Sequence, residues 1–267
     1  MPFPYTAYRF GLSPLHAWIR FFECFIHISY RMEFKKWQVR QPEEKKIFEN
    51  RKKTLQQDFK NQLGLLVDHV KPGGSGTSND GDTARRFFKK FEVSSKITGI
   101  DEGLIKRCSV ILEAISSTFL IDREALKTYA FETAKLYVDL YPWYYMPASM
   151  HKILIHGSDI IAHALLPMGQ LSEEAQECHN KDLKFYRRIH TRKTSRETTN
   201  QDLLNLLLVS SDPYITSVRM LPPKFRQNLS HEVLQLLAPP NEEEEVLMTA
   251  MSQDVSDETM SDSDESD

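Results

Sequence analysis

Apolar residues in this chain recur at three- and four-residue intervals, and nowhere do they alternate with polar ones over a sustained stretch. The first such run opens at Ser13-Pro14, a helix-start pair, and places Leu15, Trp18, Ile19, Phe22, Phe25, Ile26 and Ile28 on one broad aromatic face within residues 14–40. A face that wide and that apolar has to be buried, so other helices must cover it. A second helix is expected from Pro42 to about Val70, with Glu43 and Glu44 in the first turn where the helix dipole favours acids. Residues 101–118 and 122–141 read as two amphipathic helices with acidic starts, 203–209 as an apolar helix ahead of a turn at 210–214, and Ser230 to Leu237 as a last short one. The pattern predicts an all-α fold, an irregular multi-helix array without a sheet.

Charge divides the chain. Residues 241–267 hold eleven acids and no Lys or Arg, so they read as a disordered acidic tail. The remainder carries 34 bases against 26 acids, about +8. The expected organisation is a lead at 1–13, a helical region at 14–240 and the tail at 241–267. A basic body with an acidic tail suits a nucleic-acid partner, and equally a solubilising tail on a charged surface.

Three dispersed cysteines (Cys24, Cys108, Cys178) with no CxxC argue against a disulfide framework and for a reducing compartment. The opening residues lack the pattern of a signal peptide, and Arg20 and Glu23 interrupt the only long aromatic stretch, so no membrane span is expected. These features together predict an intracellular protein, nuclear or cytoplasmic.

The glycine-rich break at 71–80 is followed by DGDTARRFFKKF, where Arg85, Arg86, Lys89 and Lys90 stand beside Phe87, Phe88 and Phe91. Such interleaving can grip a phosphate backbone and stack on a base. At helical spacing, core phenylalanines with a basic rim is the more economical reading.

The densest chemistry lies between Met146 and Arg196. His151 and His156 are five residues apart, which on a straight helix separates them by about 140°. They could meet at one metal only if the helix ended or bent near Gly157. Glu177 belongs to a helix whose start is expected at Ser172, and Asn180, Lys181, Lys184 and Arg188 follow it along one face. From Lys181 to Arg196 there are seven cations (Lys181, Lys184, Arg187, Arg188, Arg192, Lys193, Arg196) against one acid, Asp182. Cations one turn from a carboxylate can tether phosphates and leave the acid to a divalent ion. The plainer reading is an i, i+4 ladder between Glu177 and Lys181.

The order His151-Lys152-Ile153-Leu154-Ile155-His156, Ile160-Ile161, Ser172-Glu173 and Glu177-Cys178-His179-Asn180-Lys181 resembles the catalytic subunit of the V(D)J recombinase and the related Transib-type DDE transposases. Ser13-Pro14-Leu15-His16-Ala17 and Gly81-Asp82-Thr83-Ala84-Arg85-Arg86 are also similar to family segments, the latter with Asp82 where the family has asparagine. The resemblance implies that Glu177 stands at the third acid of the DDE triad and that His151 and His156 match two of four zinc ligands. It also implies Zn and Mg or Mn as cofactors of a complete member. In the family a CxxC supplies the other zinc ligands, and two aspartates sit on an RNase H-like sheet upstream of the matching region. This sequence contains no CxxC and no strand block. Two-metal phosphoryl transfer needs carboxylates converging on ions about 3.5–4 Å apart, and a single glutamate does not hold both.

The leading expectation is therefore a transposon-derived, recombinase-like helical protein, non-catalytic as written and needing no cofactor. It would bind DNA electrostatically through residues 181–196, with Arg85 and Arg86 as a second contact. One alternative is a fragment of a DDE recombinase that performs strand transfer when the aspartate-bearing part is supplied. Another is a helical protein-interaction module that meets its partner through the acidic tail.

Overall fold

In the computed structural model the described residues are 11–71, 73, 76–218 and 226–240. The acidic tail, most of the lead and residues 219–225 lie outside them. Eleven α-helices follow in order: α1 Pro14–Ser29, α2 Pro42–Leu63, α3 Gly81–Lys89, α4 Phe91–Thr98, α5 Glu102–Ser116, α6 Arg123–Leu140, α7 Ala148–Ala162, α8 Glu174–Ile189, α9 Arg196–Ser210, α10 Pro213–Val218 and α11 His231–Leu234. Two 3-10 turns, Met168–Leu171 and Arg226–Asn228, complete the set. Two isolated β-bridges are present, Val70 with Thr77 and Ile121 with Leu237, and no strand occurs among the described residues. The fold is all-α. No helix among these residues is long and apolar enough to cross a membrane.

The helix starts follow from local chemistry. Ser13 accepts from the His16 backbone N–H, Asp80 from Thr83, Asp101 from Leu104, Asp122 from Glu124 and Ala125, and Ser230 from Val233. Each side chain satisfies a donor that the first turn leaves without an intrahelical partner. The second helix ends at Leu63, seven residues before the expected Val70. Gly64 adopts φ +63°, a left-handed conformation that closes the helix by donating to the Lys60 carbonyl. The turn expected at 210–214 is shorter than anticipated, because Pro213 starts α10.

The core is built around α1, which packs on α3, α5 and α7. Phe21, Phe22, Phe25, Ile26 and Ile28 are fully buried, and α3 answers them with Phe87 and Phe88. Phe22 and Phe87 meet edge-to-face at 5.2 Å, Trp18 and Phe88 at 5.5 Å, and the Trp18 indole N–H donates to Ser116 Oγ of α5 at 2.8 Å. Thus the phenylalanines of the DGDTARRFFKKF segment are core residues, Phe91 packing against the cluster from its edge. The chain returns at its end to this body: Ala238 N–H donates to Leu120 O, Asp122 N–H to Leu236 O, and Lys106 pairs with Glu232 at 2.5 Å.

Candidate nucleic-acid interface

The segment leading to α8 is seated by backbone and charge. Gly169 donates to the Ser117 carbonyl at 3.1 Å, so close that a Cβ there would collide with the Ser116 and Ser117 carbonyl oxygens. Ser172 was expected to cap α8. The observed N-cap is Glu173, and the Ser172 hydroxyl still accepts from the Glu174 backbone at 3.3 Å. Two acids then tie the helix start to the body. Glu174 pairs with Arg85 of α3, and Glu173 pairs with Ser13 and, at 2.9 Å, with His16 Nδ1 at the start of α1. Burial pulls the Glu173 carboxyl upward, but the Ser13 hydroxyl and the His16 ring outweigh it and hold the group below its ordinary value. Three of the segments quoted for the recombinase resemblance, around Ser13, Arg85 and Ser172, are therefore neighbours in space.

Beyond that anchor, α8 carries an exposed cationic face. Lys181, Lys184 and Arg188 stand at i, i+3 and i+7 along one side, with Arg187 next to Lys184. All four are exposed, as are Arg192, Lys193 and Arg196 in the connection to α9 and its first turn. Arg192 is committed: its guanidinium grips Asp202 bidentately at 2.8 and 3.1 Å, and the pair holds Asp202 down to about 2. Lys193 folds back onto the Arg187 carbonyl and, at 2.8 Å, the Thr191 hydroxyl. Lys181, Lys184, Arg187, Arg188 and Arg196 enter no ion pair with a described side chain. Arg85 and Arg86 are placed differently. Arg85 pairs with Glu174 and lies 5.7 Å from the Trp18 ring, while Arg86 donates to the Leu63 carbonyl at 2.6 Å and completes the end of α2.

The sequence reading missed the aromatic component. Phe185 is 49% exposed, lies between the cations of α8, and packs edge-to-face on His190 at 5.2 Å, with Tyr186 6.1 Å from the same imidazole. The signal was present as KFYRRIH, aromatic residues interleaved with bases. Exposed rings among unpaired cations are the elements of a surface that tracks a phosphate chain and stacks on bases.

The histidine pair behaves otherwise than the straight-helix argument suggested. His151 and His156 meet edge-to-face, ring centroids 5.2 Å apart, inside α7, which continues past Gly157 to Ala162. The rings lean together without a helix break. Among the described residues no group of three or more His, Cys, Asp or Glu is placed to hold a metal ion, and a structural zinc takes four ligands. Glu177 lies in α8, and its side chain is outside the described residues, as is the ladder expected between it and Lys181.

Comparison with protein-family models and with curated proteins gives no match to either.

Proposed function

We propose that this protein is a non-catalytic, recombinase-like helical protein that binds nucleic acid through α8 and Arg196 at the start of α9. The observation that supports this reading is the run of exposed cations on α8, in no ion pair among the described residues, with Phe185 set among them. Binding of this kind is electrostatic and tolerant of sequence, because phosphate contacts position a duplex without reading it. Each neutralised phosphate contributes a slope of roughly −0.9 in log K against log salt, so four or five contacts give about −4. The acidic tail and the divalent-ion chemistry of complete recombinases have no part in this reading.

Fluorescence anisotropy of a labelled duplex across a salt series tests it. The unmodified protein should show the slope of about −4. Replacing Lys181, Lys184 and Arg188 together by Gln should flatten that slope by about 3 units without changing the fold. Phe185→Ala should weaken single-stranded DNA by about 1–3 kcal/mol and leave the slope unchanged. Binding that is absent, or that ignores salt, would reduce α8 to a solvated helix face. Nicking with Mg²⁺ or Mn²⁺ that disappears in Glu177→Gln would overturn the non-catalytic assignment.

A further inference from the structure

A separate cleft of about 700 Å³ lies where the end of α1, the segment 37–40, the first turns of α2 and the aromatic corner at 141–145 come together. That volume falls within the range of roughly 300–1,000 Å³ in which small-molecule sites occur. One wall is aromatic. Trp37, 39% exposed, sits 4.6 Å from the Tyr144 ring and 5.1 Å from the Tyr145 ring. The chain reaches this position through Lys35, a non-glycine residue at φ +48°, which turns the backbone after α1.

The rest of the lining is cationic. Arg31, Arg40 and Lys45 face the cleft against one acid, Glu49. Arg40 donates to Gln38 and makes no ion pair among the described residues, and neither does Lys45. Arg31 is the unusual group. Its guanidinium lies 5.0 Å from the Phe48 ring and 5.8 Å from the Tyr144 ring, and Nη1 donates to the His27 carbonyl at 2.7 Å. Its Nε–H is buried without a hydrogen-bond partner, and no described acid pairs with it. Burial lowers its affinity for the proton. The two rings partly offset the desolvation, but a half-buried cation without a counter-ion or a full set of acceptors is costly. An anion in the cleft would supply the missing charge.

We infer that this cleft binds a nucleoside phosphate, the base against the Trp37 and Tyr144 wall and the phosphate between Arg31, Arg40 and Lys45. Only a ligand with both a flat ring system and an anionic group uses both walls. A bare phosphate leaves the aromatic side unused, and a nucleoside leaves the three cations without a counter-charge. The same chemistry comes from a free mononucleotide or from one nucleotide of a single strand. The inference does not depend on α8.

Calorimetric titration of the full-length protein tests it, with adenosine monophosphate, adenosine, inorganic phosphate and a ten-residue oligothymidylate as probes. The monophosphate should bind saturably, at least about tenfold more tightly than adenosine or phosphate. Arg40→Gln and Lys45→Gln should each weaken it about tenfold while leaving adenosine unaffected, since each removes one charge-assisted contact. Both positions are exposed, so these variants remain informative if Arg31→Gln fails to fold. Oligothymidylate binding tighter than the monophosphate, and weakened by Arg40→Gln, identifies a strand as the occupant; a preference for the monophosphate identifies the free nucleotide. No saturable binding of the monophosphate below about 5 mM, or binding that neither variant changes, would overturn the inference. So would oligothymidylate binding that responds only to the α8 substitutions, with no monophosphate binding.

Discussion

Helices α1 and α9 are both rich in large apolar residues, and they meet opposite fates. α1 buries eleven of its sixteen residues, while the only buried residue of α9 is Thr199, whose hydroxyl donates to the Arg192 and Ser195 carbonyls. Leu204 is half exposed and Leu208 is 61% exposed. The difference lies in the neighbours. α1 is met by α3, α5 and α7, each presenting apolar side chains, whereas α9 is met mainly by α8, a largely polar helix with four Lys or Arg and three acids among its sixteen residues. Burial needs a complementary surface as well as an apolar one. The body and the α8–α9 arm are therefore expected to differ in stability, reactivity and response to acid.

The largest expected contrast is in side-chain truncation. Phe87 is fully buried and packs on Phe22, Phe88 and Phe59, so Phe87→Ala should cost about 3–5 kcal/mol in denaturant unfolding. Leu208→Ala should change stability by no more than about 0.5 kcal/mol. A cost for Leu208→Ala approaching that of Phe87→Ala would mean that the α9 surface is covered in solution, and the comparison would fail.

Thiol chemistry sharpens the same contrast. Cys178 on α8 is exposed, while Cys24 and Cys108 are buried in the body. Burial pushes the Cys24 thiol up to about 12, despite its contact with the Tyr137 hydroxyl, and raises Cys108 further. The thiolate is the reactive form, so a thiol reagent at neutral pH should modify one cysteine in the native protein and three after unfolding. Mass spectrometry should place the native label on Cys178. Rapid modification of Cys24 or Cys108 would show that the body opens as readily as the arm.

The smallest expected effect is on pH dependence, and the two regions should respond in different windows. Burial lowers the pKa of His27 from 6.5, with Asp68 opposing and Arg31 assisting. Below 6.5 the unfolded state then binds more protons than the folded one, so body stability should fall as pH drops through that window. Asp202 in the arm is held down to about 2 by Arg192, so its contribution is present above 3.8 and is lost as pH falls toward 2. Hydrogen exchange at pH 7, 5 and 3 separates these responses. A His27→Gln variant that keeps the full acid sensitivity of the body between pH 6.5 and 5 would remove His27 from the account.

The sequence carried the helical class, the starts of α1, α2, α5, α6 and α11 and the core role of the FFKKF phenylalanines, because caps and 3.6-residue periodicity are local and repeat along the chain, whereas α9, expected at 203–209, begins at Arg196. Ser13, Asp80, Asp101, Asp122 and Ser230 each stand where a capping side chain is needed. The end of α2 was also written locally, in Gly64, although the helix was expected to run to about Val70. Other features depended on residues far apart in the chain meeting in space. Glu173 and Glu174 reaching Ser13, His16 and Arg85, Arg31 lying against both Phe48 and Tyr144, and the apolar α9 facing a largely polar helix have no periodicity to announce them. Propensity and capping act over a few residues, whereas burial, ion pairing and cleft formation depend on which surfaces the packed helices present to one another. That is why the cationic face of α8 was legible from the chain, and the cleft around Arg31 only from the fold.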